Sequence, residues 1–266
     1  MTAADLVWFG LAFKMLLTAG VVVVTSIAVE RSGPLVGALI GALPTAAGAA
    51  YTILALEHPP SFIAASAIGT VAACGAVGVF ALAYAALAQH HGLFVSLGAA
   101  TIAWLAAAYL LRQVDWTPFG AAAVSAAIFA VTIPLSTRYR TGGGPVRFVR
   151  TRFDIPLRAI TAGIVVAVVT AASSAIGSFA SGMFALFPII LGSSIVIMHP
   201  RIGGKATAGM LAHAQVFLIG LGLGGFALHY LVAPIGVWPA LAVALCVNLA
   251  WSGAVWLTGI RKRRSP

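Results

Sequence analysis

Charge is what this chain has least of. Charged residues make up 8% of its 266 positions, with 15 Lys and Arg against five acids. A soluble globular domain carries about 25% charged residues, so most of this chain has no water-facing surface to build. The acids are Asp5, Glu30, Glu57, Asp115 and Asp154, and no two lie near one another in the chain. Paired-carboxylate acid–base chemistry therefore has no local basis. Cysteine is equally sparse: Cys74 and Cys246 sit in separate apolar runs, where they read as small packing residues rather than a disulfide or a metal pair. The six histidines are scattered without an accompanying acid or thiol cluster, so neither a bound metal nor metal transport is expected. There is no G-x-S-x-G, no H-E-x-x-H and no P-loop. The expectation is a protein that is not an enzyme and carries no cofactor.

What the chain does have is apolar length. Hydrophobic residues account for 61% of it, and mean hydropathy is +1.07. The apolar runs mostly exceed about 18 residues, the length that signals a membrane span. Lipid then forces α-helices, because backbone groups in hydrocarbon must be satisfied within each segment. The fold class is thus an all-α polytopic membrane protein. The pattern predicts nine spans, near 5–29, 33–56, 61–88, 93–113, 118–137, 155–176, 179–198, 206–231 and 235–259. The first run lacks a basic leader, since Lys14 lies inside it, and reads as a mature span rather than a signal peptide.

The formal charge of +10 points to topology, not to nucleic acid. With the Gly- and Arg-rich stretch "RYRTGGGPVRFVRTRFD" (138–154) placed in the cytoplasm, every Lys and Arg except Lys14 and Arg112 falls on the inner side. This bias predicts the N-terminus outside and the C-terminus inside, in agreement with an odd number of spans. The compact, Ala- and Gly-rich chain suits a bacterial inner membrane. The bilayer is the expected partner, and the oligomeric state stays open, a homodimer included.

The sequence also repeats. "KMLLTAGVVVVTSIA" from Lys14 resembles "RAITAGIVVAVVTAA" from Arg158. "PTAAG" at Pro44 matches "PIILG" at Pro188, His58-Pro59 matches His199-Pro200, "FALAY" at Phe80 matches "FALHY" at Phe226, and "AWLAAAYL" at Ala103 matches "AWSGAVWL" at Ala250. The order is shared and the separation nearly constant. Residues 1–117 (helices 1–4) then form one repeat. Residues 118–154 supply a linker helix and the basic loop, and residues 155–266 (helices 6–9) form a second repeat with a basic tail. One odd helix between two four-helix units inverts the second, an arrangement that secondary transporters use to hold a solute between the repeats.

Pro44 and Pro188 fall inside predicted spans 2 and 7. A helix-interior proline loses one backbone bond at roughly 3 kcal/mol, and in lipid it is tolerated where neighbours or a cavity satisfy the freed group. Matched breaks point to a site between them. Its expected members are Lys14, Pro44, Thr45, Gly48, Tyr51, Pro188, Gly192, Ser193, Ser194, His213 and Gln215, with His58 and His199 as candidate gates. Lys14, a cation within a span, would favour an anionic solute. Gly33, Gly37 and Gly41 share one face of span 2, and Gly220 and Gly224 one face of span 8, as close helix packing requires. The expectation is a small secondary transporter, a permease or exporter, that moves a small organic solute, anionic if Lys14 holds it, by alternating access. A channel on the same repeat, or a non-transporting membrane subunit or lipid-modifying helper, are the alternatives.

Overall fold

The computed structural model describes residues 3–31, 44–140 and 154–264. The first part of predicted span 2, with its Gly33, Gly37 and Gly41 face, and most of the basic loop lie outside the described residues. The described elements are all helical: α1 (Ala3–Arg31), α2 (Thr45–Glu57), α3 (Pro60–Leu87), α4 (Leu93–Arg112), α5 (Pro118–Thr137), α6 (Asp154–Ile176), α7 (Ser178–Ala185), α8 (Ile189–Ile235) and α9 (Val237–Arg264). Six stretches among the described residues are long and apolar enough to cross a membrane. The chain has the helices of an integral membrane protein.

Local chemistry sets the boundaries. Proline opens α3 at Pro60 and α5 at Pro118, positions where the missing N–H has no helical partner to lose. Thr117 caps α5 by accepting from the Gly120 N–H at 3.1 Å.

Two differences from the expected spans matter. Predicted span 7 (179–198) is not one helix. α7 has only eight residues and stops before Pro188, which caps α8. α8 is assigned as one element of 47 residues, but Gly203 inside it has φ 82° and ψ 161°, a conformation open essentially to glycine alone. The apolar stretch Ser178–Ile235 holds 58 residues and would reach roughly 90 Å if straight, against a hydrocarbon core of about 30 Å. The break at Pro188 and the turn at Gly203 fold that length back on itself.

α3 is the hub. It packs against α8, α5, α7 and α4, while α1 lies mainly on α6, and α9 on α8. α3 and α7 meet with almost no side chain between them: a Cβ on Gly69 would collide with the Phe179 carbonyl, and one on Gly182 with the Ser66 carbonyl. Beside this contact Trp104 of α4 is fully buried. Phe184 and Phe187 stand against its ring in edge arrangements, at centroid distances of 5.6 and 4.9 Å. The opposite kind of surface carries Phe13, Leu16, Phe94 and Phe119, all more than half exposed. In water such a face would drive association; in lipid it is matched to its solvent.

Candidate functional site

Pro44 and Pro188 occupy equivalent structural positions. Each is the N-cap of a helix, Pro44 with φ −78° and ψ 65°, Pro188 with φ −74° and ψ 47°. Each offers its carbonyl to the first helical bond, from Gly48 N–H at 2.7 Å and Gly192 N–H at 2.8 Å. Each proline therefore stands at the start of a helix. As a cap, proline gives up no intrahelical bond, whereas in a helix interior it would. α2 has 13 residues, about 20 Å, too short to span the hydrocarbon core unaided.

Both caps line one cavity of about 210 Å³, walled by Val77 of α3, by Leu186 and Phe187 at the α7–α8 break, by Ala214 to Leu221 of α8 and by Asn248 of α9. A second cavity, of about 380 Å³, adjoins it. Pro44, Ala47, Leu221 and Asn248 wall both. On α8 the first cavity runs from Leu221 back to Ala214, and the second from Leu221 on to Leu228. The two thus lie end to end along α8, over about 20 Å of helix. The larger cavity also touches Leu17 and Val21 of α1, Thr45, Gly48, Tyr51 and Thr52 of α2, and Trp238 and Leu241 of α9.

A hydrogen-bond chain braces its wall. The Tyr51 and Thr70 hydroxyls meet at 2.7 Å, and the Thr70 hydroxyl donates to the Gly182 carbonyl at 2.8 Å. Since Thr70 has one proton and gives it to that carbonyl, the Tyr51 hydroxyl is the donor to Thr70. Three elements, α2, α3 and α7, are joined by this buried chain. Thr52 turns its hydroxyl back onto the Gly48 carbonyl at 2.8 Å.

Lys14 has a partner. Its Nζ lies 2.8 Å from Glu57 Oε1 and 3.0 Å from Oε2, so the ammonium of α1 sits in the fork of the carboxylate that ends α2. The sequence reading treated Lys14 and Glu57 apart. The signal was present, because an intramembrane cation requires a counter-charge and the chain offers only five acids. The side chain of Arg158, which the sequence comparison sets against Lys14, lies outside the described residues.

The other expected members divide. Pro44, Thr45, Gly48, Tyr51 and Pro188 line the two cavities. Gly192 and Ser193 line a different hollow, of about 210 Å³, on another side of Pro188 with Leu97, Thr101 and Thr161. Ser193 and Ser194 each donate a hydroxyl to the Ile190 carbonyl, at 3.0 and 2.7 Å. His213 is exposed and bonds within its own helix, Nδ1 donating to the Gly209 carbonyl at 2.8 Å. Gln215 is fully buried and donates to Ser136 of α5 at 2.7 Å. Neither His213 nor Gln215 belongs to the walls of the two cavities.

The candidate gates are held in place by the protein. His58 stacks on Phe62, centroids 3.8 Å apart, and its Nε2 meets Ser173 Oγ of α6 at 2.6 Å. His199 Nδ1 meets the Tyr84 hydroxyl at 2.7 Å. Sequence reasoning missed Thr70, Phe217, Leu221 and Trp238 as wall residues, since an apolar wall residue is indistinguishable in sequence from a packed one. Among the described residues no group of His, Cys, Asp and Glu is arranged to hold a metal ion. No family model matches the chain, and neither a curated protein nor a solved structure matches it.

Proposed function

We propose that the protein is a compact secondary transporter that moves a small organic solute across a bacterial inner membrane, through the path lined by the two end-to-end cavities. The observation that carries this reading is that Pro44 and Pro188, each the start of a helix, wall the same cavity. Helices that begin inside the membrane around a common hollow are the usual setting of a transporter site. Matched local sequence and matched element order support an inverted repeat: α1, α2, α3 and α4 run parallel in order to α6, the first limb of α8, its second limb and α9. Two inverted copies of one unit can exchange conformations, and the exchange opens the path on the opposite side.

In the topology with the N-terminus outside and the C-terminus inside, Glu57 and Trp238 lie toward the outer face, and Ala214 toward the inner. The larger cavity then belongs to the outer half of the path and the smaller one reaches inward from Pro44 and Asn248. Reconstitution into proteoliposomes tests the reading. Counterflow of a labelled metabolite pool is expected to show accumulation that saturates with concentration. Flux that never saturates would mean a channel, and no flux of any solute would favour a non-transporting subunit.

A further inference from the structure

The larger cavity and the ion pair beside it have complementary chemistry. The wall is chiefly aliphatic, and the hydroxyls of Tyr51, Thr52 and Thr70 are already committed to protein partners. A solute held there meets few unclaimed polar groups, so its body must be apolar. Lys14 stands one helical turn before Leu17, which lines the cavity, and residues three apart on a helix are surface neighbours. Glu57 is brought to the same place by its pairing with Lys14. The pair therefore marks the rim of the cavity. Glu57 is 36% exposed and Lys14 14%, so the carboxylate is the more accessible member of the pair.

Lys14 alone would favour an anion, but Glu57 cancels that preference. A simple anion replacing Glu57 at the ammonium leaves two negative groups facing each other, and a simple cation leaves Lys14 unpaired; both are unfavourable in a low-dielectric setting. A zwitterion avoids both. Its carboxylate takes the Lys14 ammonium, its own ammonium takes the Glu57 carboxylate, and each charge present before binding still has a partner after it.

We propose that the Lys14–Glu57 pair and the adjoining cavity form the recognition site for a zwitterion with an apolar side chain, that is, an aliphatic or aromatic α-amino acid. The inference rests on the transporter reading for its consequence, although binding itself does not require transport. The side chain enters among Leu17, Val21, Leu228 and Leu241, and the cavity volume of about 380 Å³ falls within the range of small-molecule sites, roughly 300–1,000 Å³.

The test is equilibrium binding to the purified full chain with four probes: L-phenylalanine, L-leucine, 3-phenylpropionate and phenethylamine. Phenylalanine and leucine are expected to bind. Phenylpropionate, which lacks the ammonium, and phenethylamine, which lacks the carboxylate, are expected to bind roughly tenfold or more weakly. Glu57→Gln and Lys14→Met should each weaken phenylalanine by a similar factor while gel filtration stays unchanged. The analogue series needs no variant, so it decides the matter even where one of these fails to fold. Phenylpropionate binding as well as phenylalanine, phenylalanine affinity unchanged in a folded Glu57→Gln protein, or no binding of either amino acid would each overturn the inference. The two readings fail separately. Saturable flux of a solute that is not an amino acid overturns this one and leaves the transporter; amino-acid binding without flux overturns the transporter and leaves the site.

Discussion

Tyr84 and His199 lie on different helices, and their side chains are joined by a hydrogen bond of 2.7 Å between the phenol oxygen and Nδ1. The rings meet edge to face, with centroids 6.1 Å apart. Tyr84 is near the end of α3, and His199 precedes the turn at Gly203. The Thr207 hydroxyl, beyond that turn, donates to the Gly203 carbonyl at 2.9 Å. The phenol thus ties the first limb of α8 to α3. Tyr84→Phe is expected to destabilise the protein by about 1 kcal/mol, since it leaves the half-buried His199 ring without this partner. A melting curve of the detergent-solubilised protein reads this, and an unchanged midpoint would shift the credit to the close contact of Gly204 with the Ala88 carbonyl.

Two glycines are expected to resist replacement for different reasons. Gly203→Ala places a Cβ in a backbone conformation with φ 82°, at roughly 1–3 kcal/mol, although the space around it is open. Gly182→Ala has an ordinary backbone but drives a Cβ into the Ser66 carbonyl, so α3 and α7 must separate. Gly98→Ala, in open space on α4, should be neutral or slightly stabilising. Folded yield and melting midpoint of the three variants rank them.

Thr70→Val removes the middle of the chain from Tyr51 to Gly182 at nearly constant volume. The expected loss is about 1–3 kcal/mol, because two buried partners go unmatched. Thr52→Val loses only a bond within its own helix, and should cost well under 1 kcal/mol. Equal destabilisation of the two would show that the buried chain contributes nothing beyond local bonding.

The Lys14–Glu57 pair should behave as a coupled unit. Lys14→Met or Glu57→Met alone leaves a lone charge beside an apolar cavity, while the double variant leaves none. With Glu57 36% exposed, the coupling energy is expected near 1 kcal/mol. A double-mutant cycle on thermal or denaturant unfolding measures it, and additive effects would mean that the two side chains do not interact in the folded protein.

Reporter fusions check the orientation. Alkaline phosphatase joined after Pro59 is expected to be active, and after Arg140 inactive, while a fluorescent protein at the C-terminus should fluoresce inside the cell. The reversed pattern would invert the path and put the Lys14–Glu57 rim on the cytoplasmic side.

Much of the architecture was legible in the sequence because lipid leaves few choices. A long apolar run must be helical, and the observed α4 and α5 fall within a residue of their predicted ends. Pro44 and Pro188 were read as bends or breaks in longer spans; at Pro188 the structure shows a break, with α7 ending before it and α8 beginning after it. A proline in a run of apolar residues looks the same whether it kinks a helix or begins one. The difference depends on what satisfies the carbonyls before it, here the turn at Leu186 and Phe187. Gly203 was passed over for the same reason: a glycine among many in a helical pattern carries no mark of positive φ.

The candidate site was half legible. Pro44 and Pro188, picked as matched breaks, and Thr45, Gly48 and Tyr51, picked as neighbours of the first break, do line the cavities. Ser193 was chosen for its place after the Pro188 break, and His213 and Gln215 as polar residues within a span, yet Ser193 and His213 bond to their own helix and Gln215 to Ser136. Hydroxyl, imidazole and amide groups in lipid take the nearest backbone or side-chain partner, and polarity alone does not say which face of the helix they occupy.

The sequence by itself determined the solvent, the helical class and the matched Pro44 and Pro188 segments, because hydropathy and helix-breaking chemistry act locally and are written residue by residue. Only the tertiary structure decided that those prolines cap helices around one cavity, that Tyr51 reaches Gly182 through Thr70, and that Lys14 is paired with Glu57. Each of these depends on helix rotation and approach. Those are set by where glycines such as Gly69 and Gly182 let backbones touch, which is a property of two surfaces together and not of either segment alone.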